Sequence, residues 1–315
     1  MSTQKTTQQD VESWELSDEL MEKIEPLLPK PKSRFRGRGR HRHHVGGRPP
    51  ADRRRMMAGI LYVLRTGCQW NAAPKEFGSG KTLHRYFQKW TRARVFKKLW
   101  KAGLLEYDRT QGIVPACACT HADRWTWQAV DGAMTKAPLG GGATGPNPTD
   151  LPVLRQTGRA KCGTKRSLLT DGRGVPLGIA VSGANRHDSV LLEPTLEAVV
   201  IPRPKPTQEH PQHLCADLPV RARTQTGQAY NGQPCEQTAT THDYILHRSS
   251  GKKTAEETPV RRSRGKKARR WVVEVAHAWI NRFRRLLVRW EKKTQNYLSM
   301  LYFACAIICW RKAVV

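Results

Sequence analysis

Three acidic residues stand out by what surrounds them. Asp131 closes the apolar run Trp125-Thr-Trp-Gln-Ala-Val, Asp217 closes His213-Leu-Cys-Ala, and Glu274 lies in an arginine-rich segment with helical apolar spacing. They are 86 and 57 residues apart. Two acids at strand ends and a third on a helix crossing the same sheet end would form a carboxylate cluster. Such a cluster is repulsive by itself and becomes favourable when divalent cations bind within it. Hard oxygen donors suit Mg²⁺ or Mn²⁺, which keep water ligands that phosphate oxygens can replace. Two such ions about 3.5–4 Å apart activate a water or a 3′-hydroxyl and stabilise the leaving oxygen of an in-line phosphoryl displacement. The competing reading of Glu274 is an ion pair with Arg270 one turn away, worth about 0.3–0.5 kcal/mol if exposed. Asp123, Asp150, Asp171, Asp188 and Asp243 read as caps and turns, and Asp188 serves as the control acid whose loss is expected to do less harm.

The rest of the composition says what such chemistry would act on. The chain has 315 residues, 55 Lys and Arg against 26 Asp and Glu, and a formal net charge of +29. A surface so basic repels itself unless a polyanion neutralises it, which makes nucleic acid the expected partner. Apolar residues make up 38% of the chain and there are 10 Trp, enough for a packed core. The apolar stretch within Tyr297–Trp310 is too short to span a bilayer. The polar stretch Met1–Trp14 has no signal-peptide character, so the 8 cysteines read as reduced thiols of a cytoplasmic protein. Cys117, Cys119 and His121 lack the spacing of a zinc finger.

The elements that must present these residues divide the chain. Residues 1–13 read as a flexible tail, 14–110 as a small all-α domain and 120–315 as a mixed α/β domain. Ser17 caps a helix bearing Leu20, Met21, Ile24, Leu27 and Leu28, which Pro26 and Pro29 end. Residues 30–55 hold 11 Lys and Arg and one acid among glycines and prolines. This basic arm, with Arg34, Arg36, Arg38, Arg40, Arg42 and Arg48, is suited to phosphate contact, because each neutralised phosphate releases counterions. Asp52 caps a helix carrying Met56, Met57, Ile60, Leu61 and Leu64, and Gly67 stops it. After the turn Gly78-Ser-Gly, a second helix buries Leu83, Tyr86, Phe87 and Trp90 and shows Lys81, Arg85, Gln88, Lys89 and Arg92. Helix, loop and basic amphipathic helix give the outline of a helix-turn-helix-like DNA-binding domain. A further helix from Val95 to Leu105 is expected to close it.

Beyond residue 120 the pattern becomes strand, hairpin, helix, strand, helix. Trp125–Asp131 is the first strand. Arg166–Thr170 and Pro176–Val181 flank the turn Asp171-Gly-Arg-Gly, a hairpin signal. A helix is expected at Ser189–Val200 and strands at His213–Asp217 and Tyr244–His247. One long helix is expected from about 269 to 293, buried along Val272, Val273, Ala276, Trp279, Ile280, Phe283, Leu286, Leu287 and Trp290 and showing Arg270, Glu274, His277, Asn281 and Arg284 on another face. A last apolar helix covers about 295–312. This is a mixed sheet with flanking helices.

At these residues the chain resembles the DDE transposases of bacterial insertion sequences, in the broad insertion-sequence-four/five group. Near the N-terminus the likeness is carried by Gly46-Gly-Arg-Pro, Arg65-Thr-Gly-Cys-Gln-Trp70 and Thr82-Leu-His-Arg-Tyr-Phe-Gln-Lys-Trp90. In the second half it is carried by Val130-Asp-Gly132, Gly163-Thr-Lys-Arg166, Asp171-Gly-Arg-Gly-Val-Pro-Leu177, Ala184-Asn-Arg-His-Asp188, Cys215-Ala-Asp217, Arg269-Arg-Trp-Val-Val-Glu274 and Trp279-Ile-Asn-Arg-Phe-Arg-Arg285. The resemblance implies an RNase H-like catalytic domain in which Asp131, Asp217 and Glu274 are the catalytic and metal-binding residues for two Mg²⁺ or Mn²⁺ ions. It implies double-stranded DNA as partner, at transposon ends and at the target, with homo-oligomers forming on DNA ends and no membrane. Arg270 and Asn281 fall on motif positions around the glutamate. Arg270, Arg284 and Arg285 are expected to meet DNA phosphates beside the catalytic centre.

Two segments interrupt the family pattern. Leu151-Pro-Val-Leu-Arg-Gln-Thr-Gly158 follows Asp150, and Leu218-Pro-Val-Arg-Ala-Arg-Thr-Gln-Thr-Gly227 follows Asp217. Each begins Leu-Pro-Val and ends Gln-Thr-Gly. The first extends a loop, which costs little. The second abuts a ligand of the expected site. The expected activity is therefore metal-dependent DNA strand cleavage and transfer, and the alternative is a non-enzymatic protein that binds transposon ends.

Overall fold

The computed structural model describes residues 16–30, 35–36, 43–44, 49–112, 125–148, 161–216, 233–248 and 271–314. They gather into two units, Met1–Val95 and Phe96–Val315. In the first, helix α1 (Asp18–Ile24) starts where Ser17 Oγ accepts from the Leu20 amide, and Pro26 lies in the 3₁₀ turn Glu25–Leu27 that ends it. Two short antiparallel strands, β1 (Phe35–Arg36) and β2 (His43–His44), lie within the basic arm. Asp52 Oδ1 accepts from the Arg54 amide at 2.7 Å and from the Arg55 amide at 3.3 Å, starting α2 (Arg53–Thr66). Gly67, at φ 72°, ends it in the left-handed region that glycine enters without strain. Ser79 caps α3 (Gly80–Arg92), whose Leu83, Phe87 and Trp90 are buried. Residues 67–79 join α2 to α3 through two 3₁₀ turns. That link is longer than the three or four residues of a strict helix-turn-helix.

The second unit is a mixed α/β layer. Strand β3 (Trp127–Lys136) lies at the centre of the sheet. On one side it pairs antiparallel with β5 (Cys162–Thr170), which pairs antiparallel with β6 (Pro176–Gly183); the two-residue strand β4 (Gly145–Pro146) extends the same edge. On the other side β7 (His213–Ala216) and β8 (Ile245–Arg248) run parallel to it. The β5–β6 hairpin turns as expected, with Asp171 Oδ1 accepting from the Arg173 and Val175 amides at 2.9 and 2.8 Å. Helix α5 (Asp188–Glu197) packs on β5 and β6, and α6 (Gln233–Thr241) packs beside it and on β8. Helix α7 (Trp271–Asn281) packs across β3 and β5, and α8 (Thr294–Val314) lies against α7 and β6. No helix among the described residues is long and apolar enough to cross a membrane.

Three expectations are corrected. The helix from Val95, α4 (Val95–Gly112), was expected to end the first domain but packs in the second unit. Trp100 Nε1 donates to the Pro176 carbonyl, Tyr107 donates to Asp171, and Phe96 meets Phe303. Asp131 is not a strand end, because β3 runs on to Lys136 by pairing Gly132–Lys136 with β5. The expected helix 269–293 ends at Asn281. Val288 instead bridges Lys136, and the Arg289 amide donates to the Lys136 carbonyl at 2.8 Å. The buried Arg289 guanidinium then binds the Gly142 and Ala143 carbonyls and Thr164. These tertiary bonds override the local helical spacing, leaving Leu287 and Trp290 half exposed rather than on a buried stripe.

Candidate functional site

Alternate residues of a strand face opposite sides, so Asp131 and Gly132 point to different faces of the sheet. Helix α7 covers the Asp131 face, burying Val272, Val273, Ala276, His277 and Ile280. His277 Nε2 donates to the Asp131 carbonyl at 3.3 Å and lies 3.9 Å from its Oδ2. Burial first, and then the Arg166 guanidinium, pushes the His277 imidazole down to about 3, against the opposing effect of the Asp131 bond. The ring is therefore neutral at ordinary pH and holds its proton on Nε2. Glu274 precedes His277 by three residues, so both project from one side of α7. Glu274 is exposed in the first helical turn, where the positive helix end favours an acid. A second polar bond holds the far end of α7: Arg166 of β5, 2% exposed, donates to Asn281 Oδ1 at 2.5 Å. The helix bearing Glu274 is thus fastened to the strand bearing Asp131 through His277 and to its neighbour β5 through Asn281.

The third acid, Asp217, lies outside the described residues. The parallel register sets Val130 level with Ala216, the residue before Asp217, as Ala129 is level with Cys215. No group of three His, Cys, Asp or Glu side chains among the described residues is arranged to hold a metal ion. The donors in place suit a hard cation, since Asp131 and Glu274 both offer carboxylate oxygens and the Asp131 side chain is 26% exposed.

The opposite face of β3 holds an ion pair between Lys165 of β5 and Asp188, an acid read from sequence only as a cap or turn residue. Lys165 Nζ lies 3.2 Å from Asp188 Oδ1 and donates to the Arg186 carbonyl at 2.8 Å. Asp188 opens α5 and its carboxylate rests on Gly132, where a Cβ would come within 2.2 Å of Oδ1. A side chain at that position would have to displace the Asp188 carboxylate. The run Val130-Asp-Gly132 thus has its Asp on the α7 face and its Gly under the Lys165–Asp188 ion pair.

The candidate DNA contacts fall into three groups. Lys81, Arg85, Lys89 and Arg92 are all exposed along α3 and form one stripe. Arg36 belongs to β1, whereas Arg34, Arg38, Arg40, Arg42, Arg48 and Arg270 lie outside the described residues, as do Cys117, Cys119 and His121. Arg284 is exposed, but Arg285 is buried and bonds Glu291 Oε1 through both Nε and an amino nitrogen at 2.8 Å. Arg285 is therefore removed from the phosphate-facing set. The 3₁₀ turn after Asn281 directs it inward, which a continuous helix would not have done. His277, Arg166 and Lys165 are the residues the sequence reading missed as parts of the site. Three-residue spacing from Glu274 was the available signal for His277, while nothing local marks a lysine or an arginine in a strand as buried.

Comparison with known proteins adds two matching families. Residues 16–100 match a family described as "Putative transposase of IS4/5 family", and residues 129–309 match "Transposase DDE domain". A Burkholderia cepacia protein described as "Putative transposase for insertion sequence element IS402" is 32% identical over 167 residues, covering 53% of this chain and 68% of that protein. "Insertion element IS402 uncharacterized 16.2 kDa protein", from the same organism, is 42% identical over 86 residues, covering 27% of this chain and 54% of that protein. No solved structure matches the chain.

Proposed function

Because the chain belongs to the DDE transposases of insertion sequences, we propose that it binds the terminal inverted repeats of its element and catalyses metal-dependent DNA strand cleavage and transfer. In this reading residues 120–315 form an RNase H-like catalytic domain. The strand order supports it: three antiparallel strands, β6, β5 and β3, followed by two strands parallel to β3. The observation that carries the reading is the contact of His277 with Asp131, which brings the helix of Glu274 onto the face of Asp131. Asp217 is the third carboxylate, supported by the register of Ala216 beside Val130. Two Mg²⁺ or Mn²⁺ ions held by these acids would lower the pKa of a bound water or 3′-hydroxyl and offset charge on the leaving oxygen. The chain's own part is positional. His277 fixes the Asp131 strand against α7 without taking a proton, and Arg284 offers phosphate contact beyond the end of that helix.

DNA capture belongs to the basic arm and α3, within residues 14–95. The packing of α4 in the second unit supports a boundary near Val95. Raising salt from about 50 to about 200 mM is expected to weaken duplex binding by about a thousandfold, as for a protein with several phosphate contacts. Arg85→Ala with Lys89→Ala should lower the salt slope by about two. Anisotropy titration of a labelled duplex with the full chain reads both quantities. Binding that is indifferent to salt and to these substitutions would remove α3 and the arm from the interface.

The segment Leu218–Gly227, outside the described residues, follows Asp217 directly. Pro219 cannot donate to a sheet ladder, so a strand reaching Asp217 is expected to end there. Displacement of a ligand by about 1 Å costs about a hundredfold in rate. Deleting Leu218–Gly227 is therefore expected to raise Mg²⁺-dependent cleavage of end-bearing DNA by at least about tenfold, whereas deleting Leu151–Gly158 changes it far less. Equal cleavage with and without 218–227 would show that the site accommodates the segment.

A further inference from the structure

We propose that Gln88 is a base-reading side chain that selects an adenine in the major groove; the proposal rests on the reading above that α3 meets DNA. The cations of α3 cannot supply this selectivity together. Phosphate contacts by Lys81, Arg85, Lys89 and Arg92 position a protein on the duplex but carry no sequence information, and long charged stems hold their donors loosely.

Gln88 differs in how it is held. It lies three residues after Arg85 and four before Arg92, hence on the same outward face. Its Nε2 is 3.2 Å from Nε2 of His84. An amide nitrogen can only donate, so the imidazole nitrogen accepts, and the bond sets which end of the amide is the donor end. His84 is itself braced: its ring centroid is 5.1 Å from that of Trp70 and 6.4 Å from that of Phe87, and Trp70 and Phe87 are 5.2 Å apart. Phe87 is buried in the core of this unit. The amide is thus mounted on an aromatic stack rooted in the interior, the preorganisation that recognition requires.

One N–H of Gln88 is used by His84. The other N–H and Oε1 have no protein partner among the described residues. Together they form one donor and one acceptor side by side. In the major groove adenine presents the complementary pair, an N6–H donor and an N7 acceptor, whereas guanine presents two acceptors. With its nitrogen end fixed by His84, the amide sets Oε1 against N6–H of adenine but against O6 of guanine.

The test uses the full chain and a library of random-sequence duplexes, with bound molecules recovered, sequenced and titrated at one salt concentration. The wild-type chain is expected to recover a motif with an adenine that Gln88→Ala no longer selects. The preference at that one base pair should fall about tenfold, with the other positions and the salt slope unchanged. Gln88→Glu, which cannot donate to N7, should lose the same preference and serves as a second variant should the alanine chain fold poorly. His84→Ala should weaken it less, because the amide is then free to rotate. An unchanged adenine preference in Gln88→Ala and Gln88→Glu, alongside loss of affinity in Arg85→Ala with Lys89→Ala, overturns the role of Gln88 alone. Affinity and motif untouched by all of these substitutions overturn both this role and the placement of DNA on α3. Recovery of no motif by the wild-type chain also overturns the role of Gln88.

Discussion

Asp131→Asn and Glu274→Gln are each expected to reduce strand cleavage by about a thousandfold or more, since in the proposed site each change would remove a ligand of the metal and with it several kcal/mol of charge stabilisation. Both substitutions keep size and shape while removing the charge, so neither leaves a cavity. Both sites are open enough to accept an amide: Glu274 is exposed and the Asp131 side chain is 26% exposed. Duplex binding should stay near the wild-type level, because the proposed DNA contacts lie on the basic arm and α3. Two measurements check this: Mg²⁺-dependent nicking of a labelled duplex carrying the element's end, and the rise in melting temperature on adding Mn²⁺ without DNA. The second should shrink in both variants, which separates loss of ligation from loss of an unrelated catalytic step. Glu193, exposed on α5, supplies the control acid. Retained cleavage in either variant would take that residue out of the site.

Elements of the fold were legible where the signal is local. Ser17, Asp52 and Gly67 mark helix ends because a cap needs only a side-chain oxygen or a left-handed residue at one place. Asp171 marks its hairpin because its carboxylate bonds the amides of its own turn. The apolar periods of α2, α3 and α8 were readable for the same kind of reason. What could not be read is what other strands decide. Residues 132–136 extend β3 only because β5 offers them partners, and the helix of Glu274 stops at Asn281 because Val288 and Arg289 find Lys136 and the glycine-rich loop. The same break turns Arg285 inward to Glu291. In the site, residue types and spacing pointed to the acids. The groups that hold them in place come from distant strands: Arg166 is 115 residues before the Asn281 it binds.

Lys165 and Asp188 show what that hidden support is worth. Asp188→Ala is expected to lower unfolding free energy by about 3 kcal/mol, so Asp188 cannot serve as the harmless control that the sequence suggests. The Lys165 side chain is only 11% exposed and the Asp188 side chain 18%, so removing the carboxylate leaves a lysine in the interior with a single carbonyl bond, to Arg186. It also opens space over Gly132, on the reverse of the strand that carries Asp131. The pair itself is not the source of net stability, since a buried ion pair often does no better than well-packed apolar side chains of similar volume. Lys165→Met with Asp188→Leu should therefore recover most of the loss, and urea unfolding of the wild-type chain, the single variant and the double variant measures it. Cleavage should follow stability through this series, and the Mn²⁺-induced rise in melting temperature should persist in the double variant, because neither residue lies on the α7 face. A loss below about 1 kcal/mol in Asp188→Ala would mean that water reaches Lys165, and that Gly132 is fixed by something other than the ion pair beneath it.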